Sequence, residues 1–283
     1  MTVLESIQKS TEFLQKKGID SPRLHAELLL AHVLRLPRMK LYLAFERVLT
    51  APETDALRES VRRRALREPL QHIVGTTSFC GFEISVNRHT LVPRPETELL
   101  AEAGWTFLAQ TSSPSALDFG TGTGCIAIAL ASKCPAARVA ALDVSPDALL
   151  VAQANAERHC VADRIQFVPG SGLEALPPDV GPFDLIISNP PYIPSSEIET
   201  LEPEVRDFDP RLALDGGTDG LDFYRRLANE AGALLKPQGK LMVEFGDGQC
   251  DAIHNICSAQ KWIVDEIRED YTRRQRILIA RRE

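Results

Sequence analysis

The chain has 283 residues, 44% of them hydrophobic and 25% charged, which supplies a packed core and excludes a globally disordered polymer. At this length one large domain and one small one are expected. The formal net charge is −7, so the overall basic surplus that favours phosphate binding is absent and direct nucleic-acid binding is not expected.

The start, Met1-Thr2-Val3-Leu4-Glu5, has no basic segment followed by an apolar stretch, and no apolar run is long enough to span a bilayer. A soluble cytoplasmic protein with no membrane partner is therefore expected. Six cysteines (Cys80, Cys125, Cys134, Cys160, Cys250 and Cys257) form no C-x-x-C pair and fit no common zinc spacing, so reduced, mostly buried thiols and no bound metal are expected.

Residues 1–70 read as a helical domain. Ser21-Pro22 is the pattern of an N-cap with proline at the first helical position. The stretch Leu24–Leu34 that follows is apolar around most of its circumference, which places this helix at the centre of a small bundle. Thr50-Ala51-Pro52-Glu53 is a capping-box pattern opening a third long helix. Arg62, Arg63, Arg64 and Arg67 near its end read as a solvated cationic face favoured by the helix dipole. Residues 71–95 read as a β-hairpin linker: Phe82, Ile84 and Val86 alternate with Glu83, Ser85 and Asn87, and Gly75 and Gly81 supply turns.

Residues 96–283 read as an α/β catalytic domain. Apolar strands at Ala116–Phe119, Val139–Asp143, Ile165–Val168, Leu185–Ser188 and Lys240–Phe245 alternate with helical patterns, and two more, near Ile263 and at Arg276–Ala280, close the chain. This alternation predicts a parallel sheet covered by helices on both faces.

Asp118-Phe119-Gly120-Thr121-Gly122-Thr123-Gly124 follows the first of these strands and opens a helix, Ile126–Ser132. Glycines let a backbone turn sharply and approach a ligand closely. The spacing is G-x-G-x-G, with Cys125 where the third glycine of a dinucleotide fingerprint would fall. The loop therefore resembles the S-adenosylmethionine loop of class I methyltransferases. Asp143 ends the next strand, about twenty residues on, where a ribose-binding acid is expected.

Asn189-Pro190-Pro191-Tyr192 follows the fourth strand, at the same sheet edge. Consecutive prolines hold the backbone extended and lack N–H groups. Asn189 offers an amide donor and acceptor, and Tyr192 a flat face. An amide or exocyclic amino nitrogen is a poor nucleophile because its lone pair is delocalised. The Asn189 oxygen and the Pro190 carbonyl can accept its two N–H protons and aim it at a methyl donor, so that catalysis rests on alignment and preorganised dipoles. The motif admits either a glutamine or a nucleobase as substrate.

With Gly120–Gly124 and Asn189–Tyr192, the chain resembles the protein-(glutamine-N5) methyltransferases that modify peptide chain release factors, the PrmC/HemK family. Further strings carry this resemblance: Pro69–Gly75, Leu91-Val92-Pro93-Arg94-Pro95-Glu96-Thr97-Glu98, Glu202–Arg206, Pro210–Gly217 and Gly220–Tyr224, together with the Ser21–Leu34 helix. It implies a Rossmann-like, seven-stranded, mostly parallel sheet with a small N-terminal helical domain that helps recognise the substrate. It implies transfer of a methyl group from S-adenosylmethionine to the glutamine of the Gly-Gly-Gln motif of class I release factors, leaving S-adenosylhomocysteine, with no metal. Gly120, Thr121, Gly122, Thr123, Gly124, Asp143, Gly172 and Asn189 match cofactor-binding positions. Asn189, Pro190, Pro191 and Tyr192 match substrate-amide positions, with Asn189, Pro190 and Tyr192 as the catalytic set.

Two departures stand out. Ser171 and Gly172 replace an acid and a bulky residue that commonly stand near the adenine, so adenine contacts are weakened or rebuilt from elsewhere. Thr272-Arg273-Arg274 replaces a glycine-containing turn. Arg94 and Glu98 read as a structural ion pair at the domain junction. The competing readings are a nucleic-acid adenine-N6 or guanine-N2 methyltransferase, against which the acidic balance and the 6% aromatic content count, and a non-catalytic S-adenosylmethionine-binding module, which has no need of Asn189.

Overall fold

The computed structural model describes all 283 residues, in two compact units. One comprises Met1–Thr76 with Glu202–Phe208, the other Thr77–Leu201 with Asp209–Glu283.

The first unit is a helical bundle of α1 (Val3–Lys16), α2 (Pro22–Leu34), α3 (Arg38–Leu41), α4 (Ala51–Ala65) and α5 (Leu70–Val74). Helix α2 is its centre, packing on all four others through Ala26, Leu29 and Leu30. The capping box expected at Thr50 and Glu53 forms, and a second one at Thr2 and Glu5 opens α1.

Two expectations need correction here. Ser21 occupies the N-cap position of α2 but sits in left-handed backbone (φ 48°), and its side chain makes no capping bond. The arginine cluster is not one solvated face. Arg62 is exposed, but Arg64 is 4% exposed and Arg67 is half-buried. Arg64 donates to Glu204 Oε1 at 2.7 Å, to His25 Nδ1 at 3.0 Å and to the Glu68 carbonyl at 3.1 Å. Arg67 donates to the other Glu204 oxygen at 2.9 Å and to the Gly18 carbonyl. Buried cations need such partners, and the sequence near α4 offers too few. A distant segment, Glu202–Phe208 with its short helix, supplies them.

The second unit opens with the hairpin of β1 (Thr76–Phe79) and β2 (Phe82–Ser85), followed by α6 (Pro95–Leu108). Then come β3 (Ser115–Phe119), α7 (Cys125–Lys133), β4 (Arg138–Asp143), α8 (Pro146–Arg158), β5 (Ile165–Pro169) and β6 (Phe183–Ser188). The bundle's short helix α9 (Pro203–Arg206) intervenes before α10 (Asp222–Glu230), β7 (Leu235–Glu244), α11 (Cys250–Ala259), β8 (Trp262–Glu269) and β9 (Gln275–Arg282).

The seven-stranded sheet runs in the order β5-β4-β3-β6-β7-β9-β8, parallel from β5 to β7, with β9 antiparallel to both of its neighbours. Alternate residues of each strand feed opposite layers. Ala116, Val139, Leu185 and Ile187 join α6 and α7 in one core, while Leu117, Ala140, Leu142 and Ile186 join α10 and α11 in the other. Strand β7 begins five residues earlier than the pattern suggested, because Leu235 pairs with Phe183 before a register shift. The chain runs outward through β4 and β5, then returns to place β6 beside β3. The switch point, and hence the expected ligand crevice, lies at the carboxyl ends of β3 and β6. No helix is long and apolar enough to cross a membrane.

Candidate active site

The loop after β3 is built around a buried acid. Asp118 Oδ2 accepts the Thr121 hydroxyl at 2.6 Å and the Ala127 amide at 3.1 Å, tying the loop to the first turn of α7. Burial pushes the Asp118 carboxyl up to about 7, against those two hydrogen bonds. Gly120, Gly122 and Gly124 all have positive φ (75°, 55° and 79°). A Cβ at Gly124 would also lie 3.0 Å from that of Ala152, so α8 packs against the loop only because glycine is there.

Asp143 closes the other side. Its Oδ2 accepts the Gly122 amide at 2.8 Å and its Oδ1 the Ser145 amide at 2.9 Å. Ser145 caps α8 by accepting from Ala148, so Asp143 fixes the turn and remains on the cleft wall. Burial raises its pKa, opposed by the Ser145 and Gly122 amides.

Asn189 follows β6 and Pro190 is buried behind it. Asn189 Nδ2 donates to Thr97 Oγ1 in the first turn of α6 at 3.0 Å. That bond uses the donor end of the amide and leaves the acceptor, Oδ1, for a ligand. Residues 192–195 are held by residues 214–217: Ile193 exchanges backbone bonds with Leu214 and Gly216, and Ser195 donates to the Gly217 carbonyl. Gln249 Nε2 grips the Tyr192 carbonyl at 2.9 Å. Gly220 must be glycine: its φ is 76° and a Cβ would stand 2.3 Å from the Tyr192 carbonyl oxygen. The glycine-rich strings downstream of the Asn-Pro-Pro-Tyr motif therefore brace it.

These parts surround one cleft. Gly120, Gly122, Asp143, Asn189, Pro190 and Pro191 line it, so the two motifs separated in sequence meet. Leu142, Val144 and Phe223 add apolar wall, and Ser171 a polar edge. A carboxylate preset by two amides, beside a loop of approachable backbone and an apolar slot, suits a nucleoside with free ribose hydroxyls, which is the chemistry of S-adenosylmethionine.

Other expected site residues lie elsewhere. Thr121 and Thr123 are buried beneath the loop, the first bonded to Asp118 and the second presenting its carbonyl to Asn155. Neither they nor Gly124 line the cleft. Gly172 is turned under the Arg226 guanidinium, which bonds the Ser171 carbonyl and Glu174, so Gly170 and Ser171 form the wall in its place. Tyr192 is also off the cleft wall and packs, partly buried, against the core beneath the sheet's second face. Arg94 and Glu98 do not pair: Arg94 bonds Asp209 at 2.9 Å, and Glu98 accepts the Cys80 amide at 2.7 Å. Sequence reasoning gave no role to Thr97, Phe119 or Phe223. Thr97 lies within Leu91–Glu98, but nothing local marks its reach to Asn189.

Comparison with known proteins accords with this architecture. Residues 5–75 match the PrmC N-terminal domain and residues 97–202 the methyltransferase small domain. The release factor glutamine methyltransferase of Chlorobaculum tepidum is 45% identical over 282 residues, covering 97% of this chain and 95% of the relative. That of Geobacter sulfurreducens is 44% identical, covering 91% and 88%. Among solved structures, a methyltransferase from Pyrococcus furiosus shares the fold with a TM-score of 0.54 at 24% identity, covering 72% of this chain and 90% of that one. With both family domains matched and near-full-length relatives well above the level at which folds and families diverge, the chain belongs to the release factor glutamine methyltransferase family, whose methyl donor is S-adenosylmethionine.

Proposed function

We propose that the protein methylates the side-chain amide nitrogen of the glutamine in the Gly-Gly-Gln motif of class I peptide chain release factors, leaving S-adenosylhomocysteine and using no metal. The observation that carries this reading is the Asn189 amide. Anchored through Nδ2 to Thr97, it offers Oδ1 to the cleft that Gly120, Gly122 and Asp143 also line.

When bound, S-adenosylmethionine supplies a methyl group already activated on a sulfonium. The chain does the rest. Asp143 accepts the ribose hydroxyls, and Gly120 and Gly122 allow backbone approach. Asn189 Oδ1 and the Pro190 carbonyl accept the two N–H protons of the glutamine carboxamide, which orients its nitrogen and favours the positive charge that develops there. Pro190 and Pro191 keep those acceptors rigid, and Tyr192 buttresses the turn through its carbonyl. The helical unit contributes recognition of the release factor, and such an acceptor places the enzyme in the cytoplasm.

The test is incubation with labelled S-adenosylmethionine and either a release factor or total RNA, followed by mass spectrometry of the protein substrate. A gain of one methyl group on the glutamine-bearing peptide is expected; label in RNA alone overturns the reading. Asn189→Ala should lower kcat on the order of a hundredfold or more while cofactor affinity changes little.

A further inference from the structure

Gly172 has no backbone reason to be glycine. Its φ is −162° and its ψ 177°, extended geometry that any residue adopts. The reason is steric, and it lies on another element. A Cβ at residue 172 would stand 1.5 Å from Arg226 Nη2 and 2.2 Å from Arg226 Cζ. The guanidinium carried by α10 fills the space that a side chain at 172 would take, so the two exclude each other.

All three nitrogens of that guanidinium are engaged. Nη1 donates to the Ser171 carbonyl at 2.6 Å, Nη2 to Glu174 Oε2 at 2.8 Å and Nε to Glu230 Oε2 at 3.3 Å. Glu230 stands four residues on along the same helix and steadies the guanidinium from α10 itself. The other two nitrogens hold the turn of residues 170–174 at two points. A planar fork can bind both acceptors together, which a lysine ammonium does not reproduce. The turn is already tightly folded: a Cβ at Gly170 would come 2.2 Å from that of Ala175, and Leu173 is buried in the core.

The place of this turn in the sheet decides what it can touch. Asp143 pairs with Pro169 across β4 and β5, and the Gly170 amide donates to the Asp143 carbonyl at 2.9 Å. The strand order therefore sets Asn189, the glycine loop, Asp143 and Gly170 in a row along the carboxyl edge of β6, β3, β4 and β5. Neighbouring strands lie about 4.8 Å apart. A donor with its sulfonium toward Asn189 and its ribose on Asp143 must extend its base over the end of β5, where Gly170 and Ser171 line the cleft. With glycines at 170 and 172, that wall is mostly backbone. Its position depends on what holds the turn from outside.

We propose that Arg226 is a positioning residue for the methyl donor: standing in the place of a side chain at 172, it pins residues 170–174 as the wall against which the adenine base packs. This rests on the donor orientation given to Asp143 and Asn189 above.

The experiment measures the Kd of S-adenosylmethionine and S-adenosylhomocysteine by calorimetry, that of adenosine by displacement, and kcat and KM for donor and release factor. It uses the full-length protein and the variants Arg226→Ala, Arg226→Lys, Gly172→Phe and Gly172→Phe/Arg226→Ala. Arg226→Ala should raise both cofactor Kd values about tenfold, with adenosine weakened by the same factor and the donor KM rising in step. Its kcat at saturating donor and its KM for release factor should stay within about twofold of wild type. Arg226→Lys should recover little. In the double variant the phenyl ring takes the vacated space, so the donor should bind more tightly than to Arg226→Ala alone.

Unchanged donor Kd in Arg226→Ala overturns the proposal. So does weakened donor with unchanged adenosine, which would put the turn at the amino-acid end of the ligand. Full recovery by lysine, or additive losses in the double variant, also overturns it. If Gly172→Phe alone does not fold, the alanine and lysine variants still decide. Failure of the wild type to bind the donor sinks the cofactor assignment itself, whereas binding indifferent to these variants sinks only the role of Arg226.

Discussion

Asp143 Oδ2 accepts the Gly122 amide at 2.8 Å, so the acid that ends β4 and the loop that ends β3 form one hydrogen-bonded unit. Asp143→Ala would remove the proposed ribose acceptor and loosen the loop together. Hydrogen bonds to a charged group are worth about 1.5–3 kcal/mol, so cofactor Kd should rise about ten- to a hundredfold, with Asp143→Asn retaining part of the affinity. Because burial raises the Asp143 pKa, affinity should decline as pH falls, beginning above the ordinary aspartate range. Calorimetric titration across pH checks both; pH-independent binding in the wild type contradicts the assignment.

Gly220 and Gly248 have nearly equal φ, 76° and 77°, but different surroundings. Nothing lies within 4 Å of a Cβ at Gly248, whereas one at Gly220 meets the Tyr192 carbonyl oxygen. Gly248→Ala should therefore cost only backbone strain, about 1 kcal/mol. Gly220→Ala should also displace the Asn189–Tyr192 segment and depress kcat. Melting temperatures and turnover of the two variants, measured side by side, separate strain from displacement.

In the helical unit, Arg64→Met would leave the Glu204 carboxylate without its main partner. Breaking a buried pair costs about 3 kcal/mol or more, which denaturant unfolding should register. The pH response has a definite sign. Burial pushes the Glu204 carboxyl up, but the Arg64 hydrogen bond and the charges of Arg64 and Arg67 outweigh it and leave its pKa lowered. Burial and the Arg64 charge also lower His25. Each group contributes stability above its unfolded pKa and loses it as pH falls through its folded one. Stability should thus decline below about 6.5, where unfolded histidine begins to bind protons, and again in the carboxylate range. Arg64→Met should flatten the carboxylate step.

Of the six cysteines only Cys160 is exposed; Cys80 is half-buried and the other four are buried. Burial pushes the Cys80 and Cys125 thiols up to about 12 and Cys257 to about 11. A thiol-reactive probe at neutral pH should label one site rapidly in the native protein, and Cys160→Ser should abolish that phase. Several fast phases would contradict the described burial.

Every strand expected in the catalytic region forms, because each carries its own local signal: a short β-branched or leucine-rich run bounded by turn residues. The meeting of Gly120, Asp143 and Asn189 followed from strand order, since all three end parallel strands near the switch point. What stayed hidden were contacts that depend on long-range placement. Thr97 and Asn189 are 92 residues apart in sequence, and Arg64 and Glu204 are 140 apart. Neither pair leaves a periodicity or spacing behind. The Ser21 cap failed for a local reason: its backbone turns left-handed, which aims the hydroxyl away from the helix amides. At the departure noted at Thr272–Arg274, Arg273 adopts φ 64° without glycine, and Asp270 accepts from Thr272, Arg274 and Arg276 to hold the turn.

The helical unit is assembled from two stretches of chain, and the second is embedded between β6 and α10. It is therefore not a portable module. Expressing residues 1–76 as a fragment would strand the Arg64 guanidinium without the carboxylate it was folded around. A graft meant to change substrate preference must carry residues 202–208 with it, and the two pieces must have the same parent.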